Sequence, residues 1–111
     1  MNQPILSVKF FRTDGGNEPV REFLRGLAPD DRKIIGTDIK EVQFGWPLGM
    51  PLVRKMAKDL WEVRSHLEGR LARVLFTVAG SQMVLLHAFI KKSRKTPQPD
   101  LEIAKARKSQ L

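Results

Sequence analysis

Hydrophobic positions change their period part-way along the chain. Over residues 5–11 they alternate, with Leu6, Val8 and Phe10 on one side and Ser7 and Lys9 on the other, as in a half-buried strand. Thr13-Asp14-Gly15-Gly16-Asn17 reads as a turn, with Asn17 as a helix cap and Pro19 in the first turn. Val20, Phe23, Leu24 and Leu27 then follow the i, i+3, i+4, i+7 spacing of an amphipathic helix. Ala28-Pro29 restarts the chain, Ile35, Ile39 and Val42 repeat the helical spacing, and Phe44-Gly45-Trp46-Pro47 ends it. Two short helices with a tight link make a helical hairpin.

Beyond residue 60 the pattern is that of strands. Residues 60–67, 70–78 and 83–91 are rich in β-branched and apolar side chains, punctuated by Glu68-Gly69 and Ala79-Gly80-Ser81-Gln82. Links this short make the three strands antiparallel neighbours. A polar, basic loop at 93–99 leads to a last helix over about 100–109. The predicted order is β-α-α-β-β-β-α. This is an α+β domain spanning 1–111, an antiparallel sheet packed by an N-terminal helical hairpin and a C-terminal helix.

A two-residue turn at Glu68-Gly69 predicts Arg64 opposite Arg73, Val63 opposite Val74 and Trp61 opposite Phe76. Across the next turn the same reasoning pairs Val78 with Met83, Phe76 with Leu85, Val74 with His87 and Arg73 with Ala88. Strict alternation then places Trp61, Val63, Val74, Phe76, Val78, Leu85, His87 and Phe89 on a core face under the hairpin. Glu62, Arg64, Arg73, Leu75, Leu86, Ala88, Ile90 and Lys92 share the other. Two arginines directly opposite on adjacent strands repel. Either an anion between the guanidinium groups relieves this, a phosphate suiting their donor forks, or Glu62 neutralises Arg64 on a solvated face.

Charge sharpens this picture. The chain has 20 Lys+Arg against 12 Asp+Glu, a net +8. The first 45 residues are balanced, and the excess lies in the remainder. Between Gly69 and Pro99 there is no carboxylate, while Arg70, Arg73, Lys91, Lys92, Arg94 and Lys95 are present. Such asymmetry makes a positive field over one region, suited to nucleic acid or an acidic protein partner. An anionic membrane fits less well, for want of a basic amphipathic helix with a broad apolar face. The absence of cysteine excludes disulfides, thiolate nucleophiles and cysteine zinc sites, and two histidines are too few for a histidine metal cage. No apolar run approaches the roughly 20 residues of a membrane span, and the N-terminus lacks a signal-peptide pattern. A soluble, cytoplasmic domain is expected.

Individual side chains have plainer readings beside the sharper ones. His87, expected in the core beside Val74, reads as a hydrogen-bonded structural histidine rather than a general acid or base. His66, near a hairpin end, reads as an exposed residue. Trp61 reads as core rather than as a stacking platform, and Trp46 either packs the hairpin or covers the site. The glycines lack the spacing and Lys-Ser/Thr of a phosphate loop.

Several runs carry a resemblance: Pro51-Leu52-Val53-Arg54-Lys55-Met56, Leu60-Trp61-Glu62-Val63-Arg64, Arg73-Val74-Leu75-Phe76, Leu85-Leu86-His87-Ala88-Phe89-Ile90-Lys91-Lys92, Lys95-Thr96-Pro97 and Glu102-Ile103-Ala104-Lys105-Ala106-Arg107. Together they resemble the phage-derived HigB-like branch of the RelE/ParE toxin superfamily, over nearly the whole chain and in the same element order. The resemblance implies a type II toxin–antitoxin toxin that stops translation by cutting mRNA at the ribosome, without metal or other cofactor. In that chemistry the RNA 2′-OH attacks the adjacent phosphorus. It also implies an adjacently encoded antitoxin, often a helix-turn-helix protein, expected to be acidic where it docks on the basic face.

Carried over by position, Arg73 is the expected transition-state stabiliser, with Arg64 and Lys92 beside it and Glu62 as a candidate base. Lys91, Arg94 and Lys95, with Lys55 and Lys58, are the expected RNA contacts, positioning the backbone without reading sequence. The chain departs from its relatives in having no tyrosine and no C-terminal histidine, which leaves the general base unassigned. A second reading therefore stands beside the first: a non-catalytic inhibitor that uses the same face on ribosomal RNA or, ParE-like, on DNA gyrase.

Overall fold

A computed structural model describes residues 3–92 and 95–111. Strand β1 (Ser7–Phe10) leads into α1 (Pro19–Arg25) and α2 (Pro29–Gly45), followed by β2 (Val53–Ala57), β3 (Leu60–Leu67), β4 (Arg70–Ala79), β5 (Gln82–Lys91) and α3 (Gln98–Lys108). The α+β class, the helical hairpin, the three long strands and the terminal helix are as the sequence pattern predicts.

Local signals explain the helix ends. Glu18, one residue later than expected, stands at the N-terminus of α1, and the Glu22 carboxylate accepts a hydrogen bond from the Glu18 N–H at 3.1 Å. The Asn17 N–H instead donates to the Thr13 hydroxyl at 3.1 Å, closing the preceding turn. Pro29 opens α2 with two aspartates in the first turn, where acidic side chains suit the helix dipole.

The sheet runs β1-β5-β4-β3-β2. β3, β4 and β5 form the expected antiparallel meander, but both edges differ from the expectation. β2 is an additional strand, antiparallel to β3. Its Val-Arg-Lys-Met-Ala sequence lacks clean alternation because an edge strand with exposed Arg54 and Lys55 has only part of one face to bury. β1 pairs parallel with β5. Short turns dictate antiparallel pairing only between consecutive strands, and the helices carry the chain away from β1 before the meander begins.

β4 is central, with residues 71–77 all buried because both faces of the sheet are covered. On one face Ile35, Ile39 and Val42 of α2 and Val20 of α1 pack against Val63, Val74, Phe76, Met83 and Leu85. Trp46 stands edge-on to Trp61 at 4.9 Å and to Phe76 at 5.6 Å, so it packs this core. On the other face Leu101 and Ala104 of α3 pack with Phe11, Leu75, Leu86 and Phe89.

The β3–β4 register is the predicted one. The β4–β5 register departs from strict alternation: Phe76 faces Leu85 but Leu75 faces His87, leaving Leu86 as a bulge residue. Everything beyond it changes face. Ala88 and Ile90 join the hairpin core, whereas His87 and Phe89 turn toward α3, and Arg73 meets Phe89 rather than Ala88. The bulge has no sequence marker, since Leu86 follows another leucine and no glycine or proline stands beside it.

Two glycines give a stability prediction. A side-chain methyl would meet nothing within 4 Å at exposed Gly36 in α2 or at Gly69 in the β3–β4 turn, but Gly69 has φ +66°. Gly36→Ala is expected to stabilise the fold by about 0.5–1 kcal/mol. Gly69→Ala is expected to destabilise it by about 1 kcal/mol. Urea midpoints moving in opposite directions check both.

Candidate active site

On the face turned toward α3, side chains form rows across the strands. Arg54, Glu62, Leu75 and His87 make one row, Arg64, Arg73 and Phe89 the next, and His66, Leu71 and Lys91 a third. The facing arginines expected from the turn are present, and the anion between them belongs to the chain itself. Arg64 Nη1 lies 3.1 Å from Glu62 Oε1, and Arg73 Nε lies 4.0 Å from the same oxygen. The Thr96 hydroxyl donates to Glu62 Oε2 and accepts from Arg73 Nη1 at 3.3 Å.

Burial ranks these groups. Glu62 and Arg73 have 0% exposure, while the Arg64 side chain retains 12%. The centre of this face is therefore roofed, not solvated, with Thr96 and α3 above Glu62 and Arg73. Burial lowers the Arg73 pKa from its ordinary value, Glu62 opposes that shift, and the positive charges of Arg64 and Arg54 add to it.

Helix α3 is held by polar ties as well as by Leu101 and Ala104. His87 Nε2 lies 2.7 Å from Asp100 Oδ1, and Lys91 Nζ lies 3.5 Å from Asp100 Oδ2. Arg107 donates to the Leu86 carbonyl at 2.8 Å and lies 3.5 Å from His87 Nδ1. Burial also lowers the Arg107 pKa. His87 is thus hydrogen-bonded as expected, but under α3 rather than beside Val74. The bulge at Leu86 moves it there.

Solvent reaches the site from the β3–β4 turn. An open cavity of ≈ 600 Å³ is lined by Arg64, His66, Arg70 and Lys92 with Met50, Pro51, Leu67, Gly69 and Leu71. A second, of ≈ 590 Å³, shares Arg64, His66, Met50 and Pro51 and extends to Ile34, Asp38, Glu41 and Leu48. The shared residues make them one groove with a basic half and a mixed half.

Lys92 reaches this groove from beyond the end of β5, not by the strand alternation first assumed. Lys91 and Lys95 are exposed nearby in sequence. Lys55 pairs with Trp61, which puts it on the hairpin side of the sheet, and Lys58 lies in the turn at the opposite end of β3. Arg94 lies outside the described residues. Sequence reasoning left out Arg54, Thr96 and Asp100. Arg54 was legible only by recognising β2, and Thr96 and Asp100 only by knowing how α3 docks. Among the described residues no group of three or more His, Asp or Glu side chains is gathered as a metal site needs, and no helix is long and apolar enough to cross a membrane.

A family model described as phage derived protein Gp49-like (DUF891) matches residues 22–109. The chain belongs to this family. Two relatives named probable endoribonuclease HigB1, from Mycobacterium tuberculosis strains CDC 1551 / Oshkosh and H37Rv, are each 29% identical over 96 residues, which cover 86% of this chain and 77% of theirs. The resemblance to the HigB-like branch of the RelE superfamily is borne out. The Gp49-like match begins within α1 and includes every residue of the charge cluster and groove.

The cluster yields a prediction about stability. Arg73→Met removes one of the two guanidinium groups beside the fully buried Glu62 carboxylate, leaving it only Arg64 and the Thr96 hydroxyl, and is expected to cost about 3–5 kcal/mol. The double variant Arg73→Met, Glu62→Leu is expected to recover most of that loss. Urea unfolding of the two single variants and the double reads the coupling directly.

Proposed function

We propose that this chain is the toxin of a type II toxin–antitoxin system, an endoribonuclease that cuts mRNA in association with the ribosome and therefore acts in the cytoplasm. Support comes from membership of the Gp49-like family and from similarity to proteins named probable endoribonuclease HigB1. The observation that carries the reading to a site is the groove in which Arg64, Arg70 and Lys92 line one basic half.

In the proposed reaction the RNA 2′-oxygen bonds to the adjacent phosphorus, the P–O5′ bond breaks, and the products are a cyclic phosphate and a 5′-hydroxyl. Charge on the non-bridging oxygens rises at the transition state, and positioned cations there lower the barrier. Arg64 is the member of the arginine pair in contact with solvent. Glu62 accepts a hydrogen bond from its guanidinium at 3.1 Å, and the Thr96 hydroxyl donates to the other oxygen of Glu62, so Arg64 is held in place as charge develops. Lys92 and Arg70 bind flanking phosphate, and Lys91 and Lys95 extend the track as positioning charges. The proposed partners are ribosome-bound mRNA and a cognate antitoxin, a helix-turn-helix protein encoded beside the toxin.

The burial of Glu62 and Arg73 favours a second reading, a non-catalytic inhibitor that binds ribosomal RNA or gyrase through the groove rim. Induction in bacteria without antitoxin, with mapping of mRNA 5′ ends, separates the two. New ends are expected for the wild type, and Arg64→Ala is expected to lower cleavage by about 10²-fold or more. Growth arrest with intact mRNA overturns nuclease action, and inhibited supercoiling points to gyrase.

A further inference from the structure

We infer that His66 is a catalytic residue of the groove, taking the proton from the attacking 2′-OH of the RNA. The inference rests on the ribonuclease reading above and supplies what that reading lacks, a proton acceptor that substrate can touch.

Catalysis near neutrality favours an acceptor whose ordinary titration range spans it. With no cysteine or tyrosine, the chain offers two histidines and its carboxylates. Glu62 is fully buried, with Arg64 on one oxygen and Thr96 on the other. His87 has Asp100 on Nε2 and Arg107 near Nδ1, beneath α3. His66 is exposed and lines both halves of the groove beside Arg64. It stands two residues from Arg64 on the same face of β3, about 7 Å along the strand. That separation lets one phosphodiester bridge the guanidinium and the imidazole.

The charged groups around the ring come from four elements. Arg64 shares its strand, Arg70 belongs to β4, Lys92 follows β5, and Asp38 and Glu41 project from α2. Arg70, itself paired with Asp31 at 2.8 Å, and Lys92 line one half, Asp38 and Glu41 line the other, and Arg64 lines both. A phosphate therefore sits toward Arg64, Arg70 and Lys92, with His66 between the two halves, and the apolar Met50 and Pro51 complete the wall.

In the step assigned to His66, neutral imidazole accepts the 2′-OH proton as the O2′–P bond forms. The P–O5′ electron pair leaves on the 5′-oxygen, which takes a proton from water, and the imidazolium returns its proton to solvent. No water is consumed and nothing is oxidised or reduced.

The test measures cleavage of ribosome-bound mRNA by the full chain across pH 5–9. His66→Ala is expected to lower kcat by about 10²–10⁴-fold, with little change in KM. The acidic limb of the wild-type pH profile is expected to disappear, and added imidazole to restore part of the rate. A His66→Ala chain that cleaves with the wild-type kcat and pH profile overturns the assignment while leaving the ribonuclease reading intact. A wild type that leaves mRNA whole overturns both. A second measurement needs no variant: an uncleavable 2′-O-methyl oligonucleotide is titrated into the wild-type chain. Shifts in the His66 ring resonances support the role, and an unmoved His66 beside a perturbed Arg64 overturns it.

Discussion

A carboxylate without access to solvent holds two guanidinium groups together on adjacent strands, and the arrangement of the site depends on it. Without Glu62, the Arg64–Arg73 pair would place like charges directly opposite each other, one of them fully buried. With it, each arginine has a partner, and the three side chains lock β3 and β4 in one relative position. Buried charge clusters of this sort add little net stability, because desolvation offsets the attraction, but they punish the loss of any one member. What they fix is geometry. Arg64 leaves the cluster facing the groove with its orientation already set.

The second constraint is the bulge at Leu86. It lets β5 use both faces in a way alternation forbids, feeding Leu85, Ala88 and Ile90 to the hairpin core and Leu86, His87 and Phe89 to α3. Two consecutive residues on the α3 side create the docking point for Arg107 and Asp100, at the Leu86 carbonyl and the His87 ring. The helix that roofs the charge cluster thus depends on a single extra residue in the strand beside it.

Much of this was legible in the sequence, for identifiable reasons. The β3–β4 register follows from a two-residue turn whose glycine adopts positive φ, so the sequence alone places the two arginines opposite each other. Helix α2 followed from Ile35, Ile39 and Val42. The failures occurred where distant segments decide. Alternation misplaces His87 because a bulge at the second of two leucines leaves no local trace. β2 was missed because an edge strand obeys weaker patterning, and the parallel β1–β5 pairing was missed because no short connection specifies it. The arginine cluster was read as solvated or ligand-bridged because its cover, Thr96 and α3, arrives from residues that pack there only in three dimensions.

The positive charge that first suggested nucleic acid divides accordingly. Arg73 is buried beside Glu62 and Thr96, Arg107 is held by a backbone carbonyl, and Arg70 is tied to Asp31 at 2.8 Å while still lining the groove. Lys91 is drawn toward Asp100. A charge count over this half of the chain therefore overstates its anion-binding surface, since several cations hold the fold together. What faces solvent is a groove whose basic half meets a wall bearing Asp38 and Glu41. Such a boundary restricts where a polyanion can lie more tightly than a uniformly positive face would, because crossing it brings phosphate against carboxylate. Positioning, more than total charge, is what this surface provides.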